Sequence, residues 1–162
     1  IEEPARQLLR ACNALAVLPD TRLVAVSSGY DALPMGPSDQ PSFLNACAHI
    51  ETTTDPTDLL AALLSIETTM GRVRKRRWGE RCIDLDLLFY ENVQIQSEQL
   101  TLPHPGLYQR DFVLKPLAEL LGNEYLMPNG LDIGTLLAEC STHDLKLSSA
   151  QLDSGEILGN RL

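Results

Sequence analysis

Apolar residues recur with helical spacing at four places in the chain. In Glu3–Leu18 they fall at i, i+3 or i+4 and i+7, which predicts a helix with one buried face. The same spacing follows Asp55, a good N-cap residue, and Pro56, which suits the first position of a helix. We therefore predict helices at Glu3–Leu18, Pro56–Met70, Pro116–Leu121 and Leu131–Glu139.

Other stretches alternate between apolar and polar residues or are rich in β-branched ones, and these predict strands. They are Leu23–Ser28, Phe43–Glu51, Cys82–Phe89 and the short edge strand Val93–Ile95. In Phe43–Glu51 the alternation turns Leu44, Ala46, Ala48 and Ile50 inward and places Phe43, Asn45, Cys47 and His49 on the opposite face. Asp31–Pro41, with three prolines and a glycine, is predicted to be a loop that shapes a pocket.

The strand at Cys82–Phe89 carries two aspartates on one face. A rise of about 3.3 Å per residue sets the Cα atoms of Asp84 and Asp86 roughly 6.6 Å apart, so both carboxylates can reach a pair of divalent cations. For an arbitrary Asp-x-Asp pair, a solvated strand edge is the commoner explanation. Two aspartates inside a strand nevertheless need a reason, because aspartate is disfavoured there.

A basic segment directly precedes this strand. Six of the thirteen Lys and Arg residues lie between Arg72 and Arg81, although the net charge of the chain is -9. Like charges this close repel each other unless an anion lies among them, so we predict that Gly71–Glu80 is a mobile loop that closes over bound anions. Arginine donors suit phosphate oxygens, and carboxylates suit Mg²⁺. Together they indicate a site for a magnesium-bound polyphosphate.

Composition narrows the class of protein. A chain of 162 residues with 44% hydrophobic content suits one domain, predicted at 1–140 and followed by a loosely ordered polar tail at 141–162. The acidic balance argues against a nucleic-acid binder, and no apolar run is long enough to span a bilayer. Four scattered cysteines without a Cys-x-x-Cys pair favour free thiols in a reducing compartment, the cytoplasm.

Four motifs, in order along the chain, resemble a known family. They are Pro-Met-Gly-Pro-x-x-Gln-Pro-x-Phe-Leu-Asn at 34–45, Gly-Arg-x-Arg-x-x-x-Trp-Gly at 71–79, Arg-x-x-Asp-x-Asp at 81–86 and Leu-Pro-His-Pro at 102–105. Together they closely resemble hydroxymethyldihydropterin pyrophosphokinase of the folate pathway. The resemblance implies a ferredoxin-like α/β (α+β) sandwich with a mostly antiparallel sheet. The family's first strand, central to that sheet, is missing from the given sequence.

The resemblance also implies a reaction, in which the diphosphoryl group of ATP passes to the hydroxymethyl group of the pterin and leaves AMP. Arg72, Arg81, Asp84 and Asp86 would be catalytic, with Asp84 and Asp86 binding two Mg²⁺ ions. The residues that contact ATP would be Glu67, Arg72, Arg74, Trp78, Arg81, His104 and Arg110. The residues that contact the pterin would be Pro34, Met35, Phe43, Asn45 and Phe112. The partners would be these two small molecules, with no nucleic acid and no membrane, and the protein would be a monomer.

Some of these residues also have ordinary structural explanations. Taken alone, Phe43 is more often a core residue, Asn45 more often a turn residue, and Glu67 more often a solvated acid. His104, between two prolines, is equally well explained as a turn histidine. Two other functions compete with the pyrophosphokinase: a ferredoxin-like module that holds RNA or a nucleotide, and an impaired relative kept as a scaffold. A chain that is 5% aromatic is poorly suited to stacking RNA bases.

Overall fold

The computed structural model describes residues 4–32, 43–71, 83–140 and 146–147. Helices and short antiparallel strands mix along the chain, as in α+β proteins. The helices within these residues are α1 (Pro4–Ala16), α2 (Pro56–Thr69), α3 (Asp111–Leu121) and α4 (Ile133–Glu139). The strands are β1 (Thr21–Val26), β2 (Tyr30–Ala32), β3 (Phe43–Asn45), β4 (Ala48–Thr52), β5 (Ile95–Gln96), β6 (Thr101–Leu102) and β7 (Lys146–Leu147). All four predicted helices are present.

The strands of the described residues form three small antiparallel sheets. In the first, β1 pairs with β4, so that Thr21 lies opposite Thr52 and Val26 opposite Ala48. In the second, β2 lies between β3 and β7. In the third, β5 pairs with β6. No helix within the described ranges combines the length and apolarity that crossing a membrane requires.

Of the three apolar clusters among the described residues, the smallest packs Cys12 and Ala16 of α1 on Leu23 of β1, and the two larger ones form the cores that hold the helices together. In one, Ala11 and Leu15 of α1 pack with Leu63 and Ile66 of α2 and with Ile83. In the other, buried leucines and isoleucines of α3 and α4 pack around Leu107, a residue with no exposed surface. Burying one such side chain stabilises the fold by about 1.5–3 kcal/mol. Residues 83–90 contribute to both cores and therefore join the two halves of the molecule.

The predicted strand Phe43–Glu51 is in fact two strands. It breaks at 46–47, between β3 and β4, and the alternation changes phase there. Cys47, predicted on the outer face, is buried, whereas Ala48, predicted to face inward, is exposed. The reason is that the Cys47 amide donates to Ser27 Oγ at 2.9 Å and its thiol donates to the Val113 carbonyl oxygen at 3.7 Å.

The third helix begins earlier than predicted, at Asp111 instead of Pro116. Pro116 lies inside α3 and is buried. A proline ring inside a helix removes one backbone hydrogen bond, and this is why the pattern predicted a start at that residue. The C-terminal end is as predicted, because Gly122 takes the cap position with φ of 92°.

The predicted strand Cys82–Phe89 forms no ladder with any other strand in the part of the chain that is described. Its exposure still alternates, because Ile83 is buried and Leu85 half-buried, whereas Asp84 and Asp86 are exposed. Backbone groups of this segment bind elsewhere: the Leu85 amide donates to a side chain of α2, and the Leu88 carbonyl accepts from the turn before α3.

Three predictions fall largely on residues outside the described ones. The predicted pocket loop Asp31–Pro41 lies there except for Asp31 and Ala32, which belong to β2 instead of a loop. The predicted closing loop Gly71–Glu80 lies there except for Gly71. The predicted loose tail at 141–162 lies there except for β7, which pairs with β2.

Candidate active site

One cavity of about 720 Å³ brings together site residues that the sequence predicted from four separate motifs or segments. Its apolar lining includes residues of α1 and α2. The predicted site residues among its lining are Asn45, Asp84, Asp86, His104, Arg110 and Phe112. The described residues thus place carboxylates, an imidazole, a guanidinium, an amide and an aromatic ring around one space large enough for a small molecule.

Packing turns the two aspartates toward this cavity. The residues before and between them, Ile83 and Leu85, pack against the core formed by α1 and α2. Because exposure alternates over 83–86, Asp84 and Asp86 are exposed. Both line the cavity, as does Leu85 between them. The prediction that they share one face is confirmed.

Glu67 is not solvated, in contrast to the commoner explanation for such an acid. It is 2% exposed, and its Oε2 accepts a hydrogen bond of 2.6 Å from the Leu85 amide, between the two aspartates. The helical period could have revealed this, since Leu59, Leu63 and Glu67 follow at intervals of four residues on the buried side of α2. Glu67 does not line the cavity.

His104 is oriented by its own turn. Its Nδ1 accepts a hydrogen bond of 3.0 Å from the Gly106 amide, and its backbone amide donates to the Leu88 carbonyl oxygen at 2.7 Å. When Nδ1 accepts, the neutral ring carries its proton on Nε2. The imidazole therefore has one fixed nitrogen and one nitrogen left to donate to a ligand in the cavity.

Arg110 and Phe112 stand at the start of α3. Arg110 is the N-cap residue, and its guanidinium carbon lies 5.7 Å from the centre of the Phe112 ring. A cation over an aromatic face is attracted by about 0.5–1 kcal/mol at an exposed site. The adjacent turn leaves room for it, since a Cβ on Gly106 would stand 2.5 Å from Arg110 Nε. The positive end of the helix dipole adds to the attraction for anions here.

Asn45 is the last residue of β3 and lies opposite Tyr30 of β2, while its side chain lines the cavity. Phe43 is the first residue of that strand and pairs with Ala32. The remaining predicted site residues, Pro34, Met35, Arg72, Arg74, Trp78 and Arg81, lie outside the described part of the chain. Their predicted roles stay predictions.

The donor set suits magnesium. Within residues 4–32, 43–71, 83–140 and 146–147, no three His, Cys, Asp or Glu side chains converge as a metal site would require. Mg²⁺ is usually held by only one or two carboxylates, together with water and substrate phosphates, so Asp84 and Asp86 fit it.

Thiol chemistry is disfavoured at this cavity. Cys12 and Cys47 both line it, but burial raises the pKa of Cys12 to about 11 and that of Cys47 to about 12. The thiolate is the nucleophile and the metal ligand, and near neutral pH these two side chains hold their protons. They are core residues of the cavity wall.

Comparison with known proteins shows the family of the chain. A sequence model of the family described as 7,8-dihydro-6-hydroxymethylpterin-pyrophosphokinase (HPPK) matches residues 1–122. The 2-amino-4-hydroxy-6-hydroxymethyldihydropteridine pyrophosphokinase of Haemophilus influenzae is 44% identical over 145 residues, which is 90% of this chain and 90% of that protein. The protein of the same name from Pseudomonas aeruginosa is 44% identical over 140 residues, 86% of each chain. Folic acid synthesis protein fol1 of Schizosaccharomyces pombe is 45% identical over 120 residues, 74% of this chain and 16% of that protein. The chain belongs to the HPPK family.

Proposed function

We propose that this protein transfers the diphosphoryl group of ATP to the hydroxymethyl group of 6-hydroxymethyl-7,8-dihydropterin, a step of folate biosynthesis. The observation that carries the proposal is the convergence of Asp84, Asp86, His104 and Arg110 on one cavity, in a chain of this family. In the reaction, the hydroxymethyl oxygen bonds to the β-phosphorus and the bond from that phosphorus to the AMP oxygen breaks. The hydroxyl proton is released, and AMP and the pterin diphosphate are the products.

Asp84 and Asp86 hold the metal in this proposal. Two Mg²⁺ ions, when bound, supply charge neutralisation for the phosphate oxygens and a template for the attacking hydroxyl. The protein's contribution is to keep both carboxylates on one side of the segment, with the Leu85 amide fixed by Glu67. Phosphoryl transfer depends mainly on positioning and on stabilising charge, and a rigid pair of ligands serves both.

The cationic and hydrogen-bonding residues hold ATP. His104 donates from Nε2 to a phosphate oxygen, because its Nδ1 already accepts from the Gly106 amide. Arg110 lies near the N-terminus of α3 and pairs with a second phosphate oxygen. The predicted roles of Arg72, Arg74, Trp78 and Arg81 in gripping ATP belong to the same proposal, with Arg72 and Arg81 also stabilising the transferring group.

The pterin lies between two aromatic rings in this proposal. Phe112 is half-buried and lines the cavity, and Phe43 is the partner proposed for the other side of the ring. Asn45 provides donors and an acceptor for the polar edge of the pterin. Pro34 and Met35 complete the wall. Stacking adds about 0.5–1.5 kcal/mol for each aromatic pair beyond the area buried.

The direct test is product formation. The purified chain is incubated with magnesium, ATP and 6-hydroxymethyl-7,8-dihydropterin, and the nucleotides are separated by chromatography. We expect AMP and pterin diphosphate in equal amounts, and no AMP when the pterin is left out. ADP in place of AMP, or no product, would contradict the proposed reaction. Of these two outcomes, absence of product would support the alternative function, a catalytically impaired relative.

Three further properties belong to the same proposal. We expect one catalytic domain over 1–140, with 141–162 outside the site. We also expect the protein to be a monomer. We also place the enzyme in the cytoplasm, where ATP is available and free thiols such as Cys12, Cys47 and Cys140 stay reduced.

A further inference from the structure

The carboxylate of Glu119 joins α3 to the segment that leads into β2. Its Oε2 accepts hydrogen bonds from the Ser28 amide at 2.8 Å and from Ser28 Oγ at 3.1 Å. Its Oε1 accepts a hydrogen bond of 2.8 Å from the Tyr30 hydroxyl. Glu119 thus accepts three hydrogen bonds from the short segment 28–30, and the roles proposed above for other residues do not account for this arrangement.

The elements joined in this way carry the proposed pterin contacts. Phe112 and Glu119 both belong to α3, seven residues apart, a spacing of about two turns that puts them on the same side of the helix. On the other side of the junction, Tyr30 lies opposite Asn45 in the β2–β3 pair. Glu119 therefore connects the helix that carries Phe112 to the strands that carry Asn45.

A second set of contacts supports the same junction. The Cys47 thiol donates to the Val113 carbonyl oxygen at 3.7 Å, and the Cys47 amide donates to Ser27 Oγ at 2.9 Å. Ser27 is buried, with 1% of its surface exposed. Weak bonds to sulfur and neutral bonds between backbone and hydroxyl add less than bonds to a charged acceptor, so the Glu119 carboxylate is the strongest link.

Tyr30 is the buried end of this link. Tyr30 is 9% exposed, whereas Glu119 is exposed. The contact between them is a hydrogen bond from a neutral phenol to a carboxylate, and its direction sets the geometry of the junction. Burial, with the hydrogen bond to Glu119 and its charge, raises the pKa of Tyr30 to about 12. The phenol therefore remains a donor throughout the neutral range.

We propose that Glu119 is a positioning residue, which sets the spacing between Asn45 and Phe112 and so fixes the width of the pterin slot. The inference rests on the proposed function for its ligand. Without the carboxylate, the β2–β3 pair and α3 keep their packing and the Cys47 hydrogen bonds but lose their charged link, and the slot loses its defined width. Asp84, Asp86 and His104, proposed to hold the metal and ATP, lie outside α3 and the β2–β3 pair and keep their geometry. Arg110, at the start of α3, is the proposed ATP contact that moves with the helix.

The test uses the full chain with Glu119→Ala, Glu119→Gln and Tyr30→Phe. The matched control is Glu124→Ala, an exposed acid with no hydrogen bond to another described residue. Calorimetry measures the dissociation constant of a non-hydrolysable ATP analogue, and of the pterin with and without that analogue. We expect Glu119→Ala to weaken pterin binding about tenfold and analogue binding by a smaller factor, about two- to threefold, because Arg110 is the proposed ATP contact that lies on α3. Glu119→Gln, which keeps one acceptor, and Tyr30→Phe, which removes one donor, should have smaller effects.

Hydrogen exchange provides a readout without ligand. In Glu119→Ala, amide exchange at Ser28 and at 43–45 should speed up, whereas in Glu124→Ala it should match the wild type. Unchanged exchange at these amides overturns the inference, as does equal weakening of pterin and ATP-analogue binding. If the wild type binds no pterin, the proposed function fails, and the exchange result alone decides whether Glu119 holds this junction.

Discussion

At the scale of single residues, Glu67 shows how a buried acid can serve a site that it does not touch. A carboxylate at 2% exposure must be hydrogen-bonded, because desolvating it without a partner costs several kcal/mol. Its Oε2 accepts a hydrogen bond from the Leu85 amide, which lies between Asp84 and Asp86. Fixing that one amide fixes the direction of both aspartates.

We expect Glu67→Leu to reduce turnover at least tenfold and to destabilise the fold by about 1–3 kcal/mol, because the Leu85 amide loses its acceptor. Glu67→Gln keeps an acceptor at the same reach and should stay closer to the wild type in both respects. AMP formation and urea unfolding measure the two effects, with the exposed Glu98→Gln as control. Equal behaviour of the Leu and Gln variants would refute the positioning role.

For the aspartates themselves, we expect Asp84→Ala and Asp86→Ala to abolish AMP formation while urea unfolding changes by less than about 0.5 kcal/mol. Both side chains are exposed, and surface substitutions rarely affect stability by more than this amount. Magnesium titration of the ATP-analogue complex is the second measurement. Near-normal turnover in Asp86→Ala would rule out the two-metal assignment.

A third residue-scale prediction concerns Gly106. A Cβ there would stand 2.5 Å from Arg110 Nε, so Gly106→Ala must displace the guanidinium from the Phe112 ring. We expect the KM for ATP to rise severalfold with little loss of stability, because the arginine is flexible and exposed. Combining Gly106→Ala with Arg110→Ala gives the control. If Gly106 acts through Arg110, the two effects will not add, and full additivity would contradict the mechanism.

At the scale of elements, local pattern predicts helices better than it predicts strands. A helix satisfies its own backbone, so the spacing of apolar residues was enough to find α1 and α2 within about two residues of their ends. A strand needs hydrogen bonds to a second strand, and local sequence does not specify which strand that is. Residues 83–86 keep the predicted alternation of exposure without a ladder, whereas Leu88 and Phe89 both pack on the core of α3 and α4. The 43–51 run breaks where Cys47 bonds to Ser27 and Val113.

The candidate site was predictable wherever the residue type itself carries the chemistry. Asp84, Asp86, His104 and Arg110 follow from motifs of chemically specific residues, and the structure brings them to one cavity. Glu67 and Glu119 act through backbone and hydroxyl groups that lie 18 or more residues away along the chain. No local pattern specifies such pairs, and only the packing of α2 and α3 brings them together.

At the scale of the whole molecule, the four helices and antiparallel strands agree with the ferredoxin-like fold of the HPPK family. The two cores meet at residues 83–90, whose odd-numbered members up to Leu87 pack on α1 and α2 while Leu88 and Phe89 pack on α3 and α4. The aspartates thus lie on the segment shared by both halves. Such a position ties the geometry of the proposed metal ligands to the stability of the entire fold.

Alkaline pH should destabilise this fold. Burial raises the pKa of Cys12 from 9.0 to about 11 and that of Cys47 from 9.0 to about 12, so unfolding releases thiols that ionise more readily. The contribution of the two protonated thiols to the free energy of unfolding is complete below pH 9. It is lost as the pH rises toward 11 and 12, by up to about 1.4 kcal/mol per pH unit for each thiol. Urea unfolding between pH 8 and 11 measures the slope. Cys12→Ala should reduce it, and an unchanged slope would contradict the assignment.

The hydrogen bonds of Glu119 also bear on the rate at which the protein folds. They close a stretch of 91 residues to Ser28 and of 89 residues to Tyr30, whereas the β5–β6 pair closes only a few. A contact between residues far apart in the sequence costs more chain entropy than a local one. It therefore stabilises the protein only after both elements that carry the residues have formed. In stopped-flow experiments, Glu119→Ala should therefore accelerate unfolding and leave the folding rate nearly unchanged, a φ-value close to zero. The Glu119 junction, proposed to define the pterin slot, would then be among the last parts of the molecule to form.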